Sequence, residues 1–139
     1  VESKKKYDIF ISHSYLDKDL VKSMKNTLNF QNLSCYYDWT SDQDFLKRNL
    51  ISDYTKEVLK KRIEQSKALI LVLTHNVIAD GEITSEWIKM EIEHAKSVGK
   101  KICCLNFTDL GHQFINIEFQ YEGNSISISK NGVQLLTNL

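Results

Sequence analysis

Residues 68–74, Ala-Leu-Ile-Leu-Val-Leu-Thr, are apolar at every position but the last. The run is far shorter than the roughly 20 apolar residues needed to span a bilayer. It also lacks the polar alternation of a strand with one wet face. Such a segment suits a central strand buried on both sides, and strands of that kind belong to parallel sheets covered by helices on each face. The run therefore commits the chain to an α/β architecture, provided the flanking sequence supplies helices and further strands.

It does. Residues 7–12 (YDIFIS) read as a first strand that ends in polar Ser12, His13 and Ser14. Residues 17–31 follow with Leu20, Val21, Met24, Thr27 and Leu28 at helical spacing, and Asp17 is the candidate N-cap. Residues 34–38 (SCYYD) form a short second strand, and the polar stretch 39–47 reads as a loop. Residues 50–65 repeat Ile51, Tyr54, Val58, Leu59 and Ile63 as a second helix. After the central strand, residues 76–84 read as a loop with a turn at Asp80-Gly81. Residues 85–98 form a third helix with Ile88, Ile92 and Ala95 inward, Gly99 ends it, and residues 101–105 form the next strand. In the tail, residues 114–119 and 125–128 supply strand or short-helix character around a turn at residues 122–124. Regular alternation of this kind predicts a three-layer, flavodoxin-like sandwich around a parallel sheet of about five strands. In such folds ligands bind beyond the carboxyl ends of the strands. That rule gathers residues 12–14, Asp38, Trp39 and the 74–87 region on one rim.

A chain of 139 residues has the size of one domain. Residues 1–6 read as a lead-in and 7–139 as the domain. Opening on Val1, the chain reads as a domain excised from something longer. Eighteen basic and eighteen acidic residues cancel, so no bulk charge draws the chain to nucleic acid or an anionic membrane. There is no signal-peptide pattern and no membrane-spanning run. Three cysteines in apolar strand contexts, with no Cys/His metal spacing, fit a reducing cytoplasm and strand packing. No Gly-rich phosphate loop is present, which excludes the dinucleotide fingerprint and the P-loop.

Within the third helix Trp87 and Glu91 are four residues apart, hence on one face. An aromatic wall beside an acid is suitable for holding a sugar-nucleotide and stabilising positive charge on its sugar. Each residue also has a plainer reading. Glu91 is a solvated helix-face acid, Trp87 a packing anchor, and His13 a hydrogen-bonding strand end. Ser14 is the cap of the next turn, Asp38 a turn former, and Phe10 a core residue.

Four motifs in order carry a family resemblance across nearly the whole chain. Residues 7–14 (YDIFISHS) are similar to the opening box of TIR domains. Residues 35–38 (CYYD) are similar to the family's second strand, entering the loop known as the BB loop. Residues 66–74 (SKALILVLT) are similar to its central strand, and Ser85-x-Trp87-x-x-x-Glu91 resembles the signature opening its third helix. The resemblance implies a TIR fold and one of two roles. Some members are non-catalytic adaptors acting through TIR–TIR contacts. Others cleave NAD+ to nicotinamide and ADP-ribose or a cyclic ADP-ribose isomer, in immune defence signalling or as effectors. In the enzymatic kind the acid at the position of Glu91 is catalytic. His13, Ser14, Asp38, Trp39 and Trp87 are then the candidate substrate contacts. His13-Ser14 in the first box is closer to prokaryotic enzymatic members than to animal adaptors. The implied partners are NAD+, as substrate rather than cofactor, and further copies of the chain, with no metal. Residues 39–49 lack the glycine and proline common in the family's loop, a departure that bears on loop-mediated assembly. A nucleoside deoxyribosyltransferase is a third candidate activity. A phosphoacceptor receiver is disfavoured, because Ser12-His13 stands where paired acids are expected.

Overall fold

A computed structural model describes residues 6–37, 52–123 and 125–139. The first strand, β1 (Tyr7–Ser12), leads through a single 3-10 turn (Tyr15–Asp17) into α1 (Lys18–Phe30), followed by β2 (Cys35–Tyr37). Next come α2 (Ser52–Glu64), β3 (Ser66–Leu73), a tight hairpin of β4 (Ile78–Ala79) and β5 (Glu82–Ile83), and α3 (Glu86–Ser97). The chain closes with β6 (Lys101–Asn106), β7 (Ile115–Asn116), the hairpin β8 (Phe119–Glu122) and β9 (Ser125–Ile128), and α4 (Lys130–Thr137).

The main sheet has five strands in the order β2-β1-β3-β6-β7, all parallel. Its centre is apolar on both faces, as the 68–74 run requires. Ile9, Ile11, Ala68, Ile70, Val72, Cys103 and Leu105 face one core with α1 and Leu136 of α4. Phe10, Leu69, Leu71, Leu73, Ile102 and Cys104 face the other, with Leu59 and Ile63 of α2 and Ile88, Ile92 and Ala95 of α3. The period-two alternation of strand side chains thus fills two cores at once. The five-strand parallel sheet with helices on both faces is the expected three-layer fold.

Several local features depart from the sequence expectations. Asp17 precedes α1 but does not cap it with its side chain. Its carboxylate instead accepts hydrogen bonds from Thr74 Oγ1 at 2.6 Å and Asn76 Nδ2 at 2.8 Å, tying the end of β1 to the end of β3. Charged acceptor bonds across the rim outcompete a local cap. The 76–84 segment contains the β4–β5 hairpin rather than a loop alone. Asp80 and Gly81 both have positive φ, 53° and 79°, as a two-residue hairpin turn demands. The 114–119 segment splits into β7 and the start of β8, and α4 was not anticipated.

Candidate active site at the end of the first strand

In the order β2-β1-β3-β6-β7, connections leave β1 toward both sides of the sheet. The point of reversal lies between β1 and β3. The crevice beyond the carboxyl ends of these strands is where open α/β sheets bind ligands. Ser12 is the last residue of β1 and pairs with Leu71 of β3. It is in phase with Phe10, so its side chain faces the α2–α3 layer. From that layer Glu91 reaches back to it. The Ser12 hydroxyl donates to Glu91 Oε1 at 2.7 Å.

Both partners are buried, Glu91 to 4% exposure and Ser12 to 1%. A carboxylate taken from water is costly unless hydrogen bonds replace its hydration. Glu91 is therefore no solvated helix-face acid. Its position follows from α3 itself. Ser85 caps the helix by accepting from the Ile88 N–H at 3.3 Å. Ile88, Ile92 and Ala95 then anchor the helix on the sheet, which turns Glu91 toward β1. Trp87, one turn earlier, is half-buried and packs against the same core, with the Lys56 ammonium 6.0 Å from its ring centre.

The other sequence candidates fall as follows. His13 is 5% exposed and lies edge-on to Tyr37, ring centres 5.9 Å apart. Ser14 caps the 3-10 turn, accepting from the Leu16 N–H at 3.2 Å. Asp38 and Trp39 lie outside the described residues. The structure brings Ser12 to Glu91, while His13 and Ser14 follow Ser12 at the same strand end and Trp87 lies one helical turn before Glu91. The sequence places Ser12 on this rim but does not single it out as a site residue. Its signal was a hydroxyl in phase with Phe10, at the end of an otherwise apolar strand core.

Among the described residues, no group of three or more His, Cys, Asp or Glu side chains converges to hold a metal ion. A separate cavity of about 600 Å³ lies between the β4–β5 hairpin, α3 and the segment before β7, lined in part by Ile78, Ile83, Lys89, His112 and Phe114. Lys89 is about 200° around α3 from Glu91. Lys89 thus lies on the other flank of α3 from Glu91, while Leu71, the sheet partner of Ser12, also lines the cavity.

The TIR domain family matches residues 9–121. A Cytobacillus dafuensis protein named "Putative cyclic ADP-D-ribose synthase TIR2" is 44% identical over 128 residues, covering 91% of this chain and 32% of that protein. A protein of Bacillus cereus (strain MSX-D12) named "Probable 3' cyclic ADP-D-ribose synthase ThsB'" is 30% identical over 104 residues, covering 75% of this chain and 51% of its own length. The chain thus spans about a third of one relative and half of the other. With the five-strand parallel sheet and the family match over residues 9–121, the chain belongs to the TIR domain family.

Proposed function

We propose that this domain cleaves the nicotinamide–ribose bond of NAD+ and closes the ADP-ribosyl product into a cyclic isomer, with Glu91 as the catalytic carboxylate. The observation that carries the proposal is a carboxylate buried to 4% exposure beside the end of β1, at the switch point of the sheet. The names of the two relatives supply the substrate class and favour ring closure over release of linear ADP-ribose.

The chemistry matches a single acid. As the C1′–N bond breaks, its electron pair moves onto the pyridinium nitrogen and nicotinamide leaves neutral, with no proton required. Positive charge develops on the ribose carbon and ring oxygen. A carboxylate fixed beside that sugar stabilises the charge or adds to the carbon, which is half of the retaining-glycosidase arrangement. Attack by a nitrogen or hydroxyl of the same molecule then gives the cyclic isomer, and attack by water gives ADP-ribose. Each attack releases one proton. Trp87 shields the face from water and biases this competition toward closure. His13 and Ser14, on the same rim, are the further substrate contacts from the described residues. The domain acts as an assembly of copies in the cytoplasm, in immune defence.

The test is product analysis by chromatography and mass spectrometry after incubating concentrated protein with NAD+. The parent is expected to release nicotinamide with a product lighter than ADP-ribose by one water. Glu91→Gln is expected to lose at least about a hundredfold in rate while keeping its fold. Equal turnover by the two proteins would refute the assignment. A parent inert toward NAD+ at every protein concentration would favour a TIR adaptor without chemistry.

A further inference from the structure

We infer that Ser12 is the positioning residue for the Glu91 carboxylate, an inference that rests on the NAD+ cleavage proposed above. The bond joins residues 79 apart in sequence and two different layers of the fold, at 2.7 Å. A hydroxyl has one proton to give. Donating it to Oε1 fixes the hydroxyl rotor and, with it, the plane of the carboxylate. Fixing one oxygen sets the direction in which the other is offered to the sugar.

The donor is on a rigid base. β1 is hydrogen-bonded on both sides as far as Ile11, and Ser12, its last residue, is held by its pairing with Leu71 of β3. The acceptor, by contrast, is at the tip of a side chain with three rotatable bonds, on a helix packed on the sheet through Ile88, Ile92 and Ala95. Without Ser12, the carboxylate loses the hydrogen bond that ties it to the sheet. Misplacing a catalytic group by about 1 Å costs on the order of a hundredfold in rate.

A packing role alone does not explain the residue. Ile9, Phe10 and Ile11 precede it and are all buried apolar side chains. Alanine or valine would fill such a place with no polar atom to satisfy, and a buried hydroxyl is unfavourable unless it is hydrogen-bonded. The partner it has is the one acid on α3 that points into the fold, since Glu86 and Glu93 are exposed.

The experiment measures steady-state NAD+ cleavage by Ser12→Ala, Ser12→Cys and Ser12→Thr beside the parent and Glu91→Gln, with folded fraction and thermal midpoint recorded for each. Ser12→Ala is expected to lower kcat about ten- to hundredfold with KM held within about twofold. Ser12→Cys, close in volume but a weak donor, follows the alanine variant. Ser12→Thr, which keeps the hydroxyl, recovers to within a few-fold of the parent. A kcat per folded molecule at the parental value in either the alanine or the cysteine variant would overturn the inference. So would a loss that threonine does not restore although that variant folds. If Glu91→Gln is inert while Ser12→Ala runs at the parental rate, only the role of Ser12 falls. If Glu91→Gln matches the parent, NAD+ cleavage through Glu91 falls with it.

Discussion

Under the proposed function, Trp87 divides its surface between two tasks. One part of the indole packs on the Ile88, Ile92 and Leu73 core, and the residue as a whole is only half-buried. The other part stands one helical turn from Glu91, on the same face of α3. Truncation should therefore register in two measurements. Trp87→Ala is expected to lower unfolding stability by about 1–3 kcal/mol, less than a fully buried tryptophan would cost. It should also raise KM for NAD+ by about three- to tenfold through the lost ring contact. Trp87→Phe keeps an aromatic face and should lie near the parent on both counts. A KM unchanged in the alanine variant would assign the ring to packing alone. The pairing of Trp87 with Glu91 was legible in the sequence, because helical spacing fixes which residues share a face. The pairing of Glu91 with Ser12 was not. It depends on how α3 docks on the sheet, and no local period encodes a contact 79 residues long.

At the level of elements, α4 is the part least announced by its sequence. It has a glycine in its first turn, and glycine in a helix ordinarily costs roughly 1 kcal/mol relative to alanine. Gly132 is there because of what lies against it. A Cβ at that position would stand 2.8 Å from Cγ2 of both Ile117 and Ile128. Gly132→Ala is accordingly expected to destabilise the fold by about 1–3 kcal/mol, against its helix propensity. Chemical denaturation would measure this, and a gain in stability would show that the two isoleucines yield freely. Docking of α4 places Leu136 in the same core as α1, where Ile126 of β9 also lies. β9 is pinned to α1 by the Ser23 Oγ that accepts from the Ile126 N–H and the Thr27 hydroxyl that donates to the Ile126 carbonyl. The long elements were legible because each repeats its period several times, as in α1 and β3. β4, β5 and β7 were not, since two residues cannot display a period. Only the Asp80-Gly81 turn gave the first hairpin away.

Over the whole molecule, two cores share one sheet, and adjacent residues of β6 serve both. Cys103 belongs to the α1–α4 side and Cys104 to the α2–α3 side, and both are fully buried. Burial disfavours the thiolate and pushes Cys103 up to about 11 and Cys104 up to about 12. The consequence for stability has a definite sign. In the unfolded chain these thiols ionise from an ordinary value of 9.0, whereas the folded protein keeps its protons. Above that value the unfolded state binds fewer protons, so unfolding becomes easier as pH rises. The loss should run at about 1.4 kcal/mol per pH unit for each thiol. It should begin near pH 9 and end for each thiol as pH passes its folded value. Below about pH 8 the two thiols contribute no slope. Urea unfolding midpoints between pH 7 and pH 11 would trace this, and the comparison with Cys103→Ala and Cys104→Ala separates these two thiols from every other group, including the Cys35 thiol that burial pushes up to about 12. Each alanine variant should lose its own share of the alkaline slope whatever its stability at neutral pH. A variant whose slope equals that of the parent would mean that its thiol ionises in the folded protein as readily as in the unfolded chain, and that the core around it admits water.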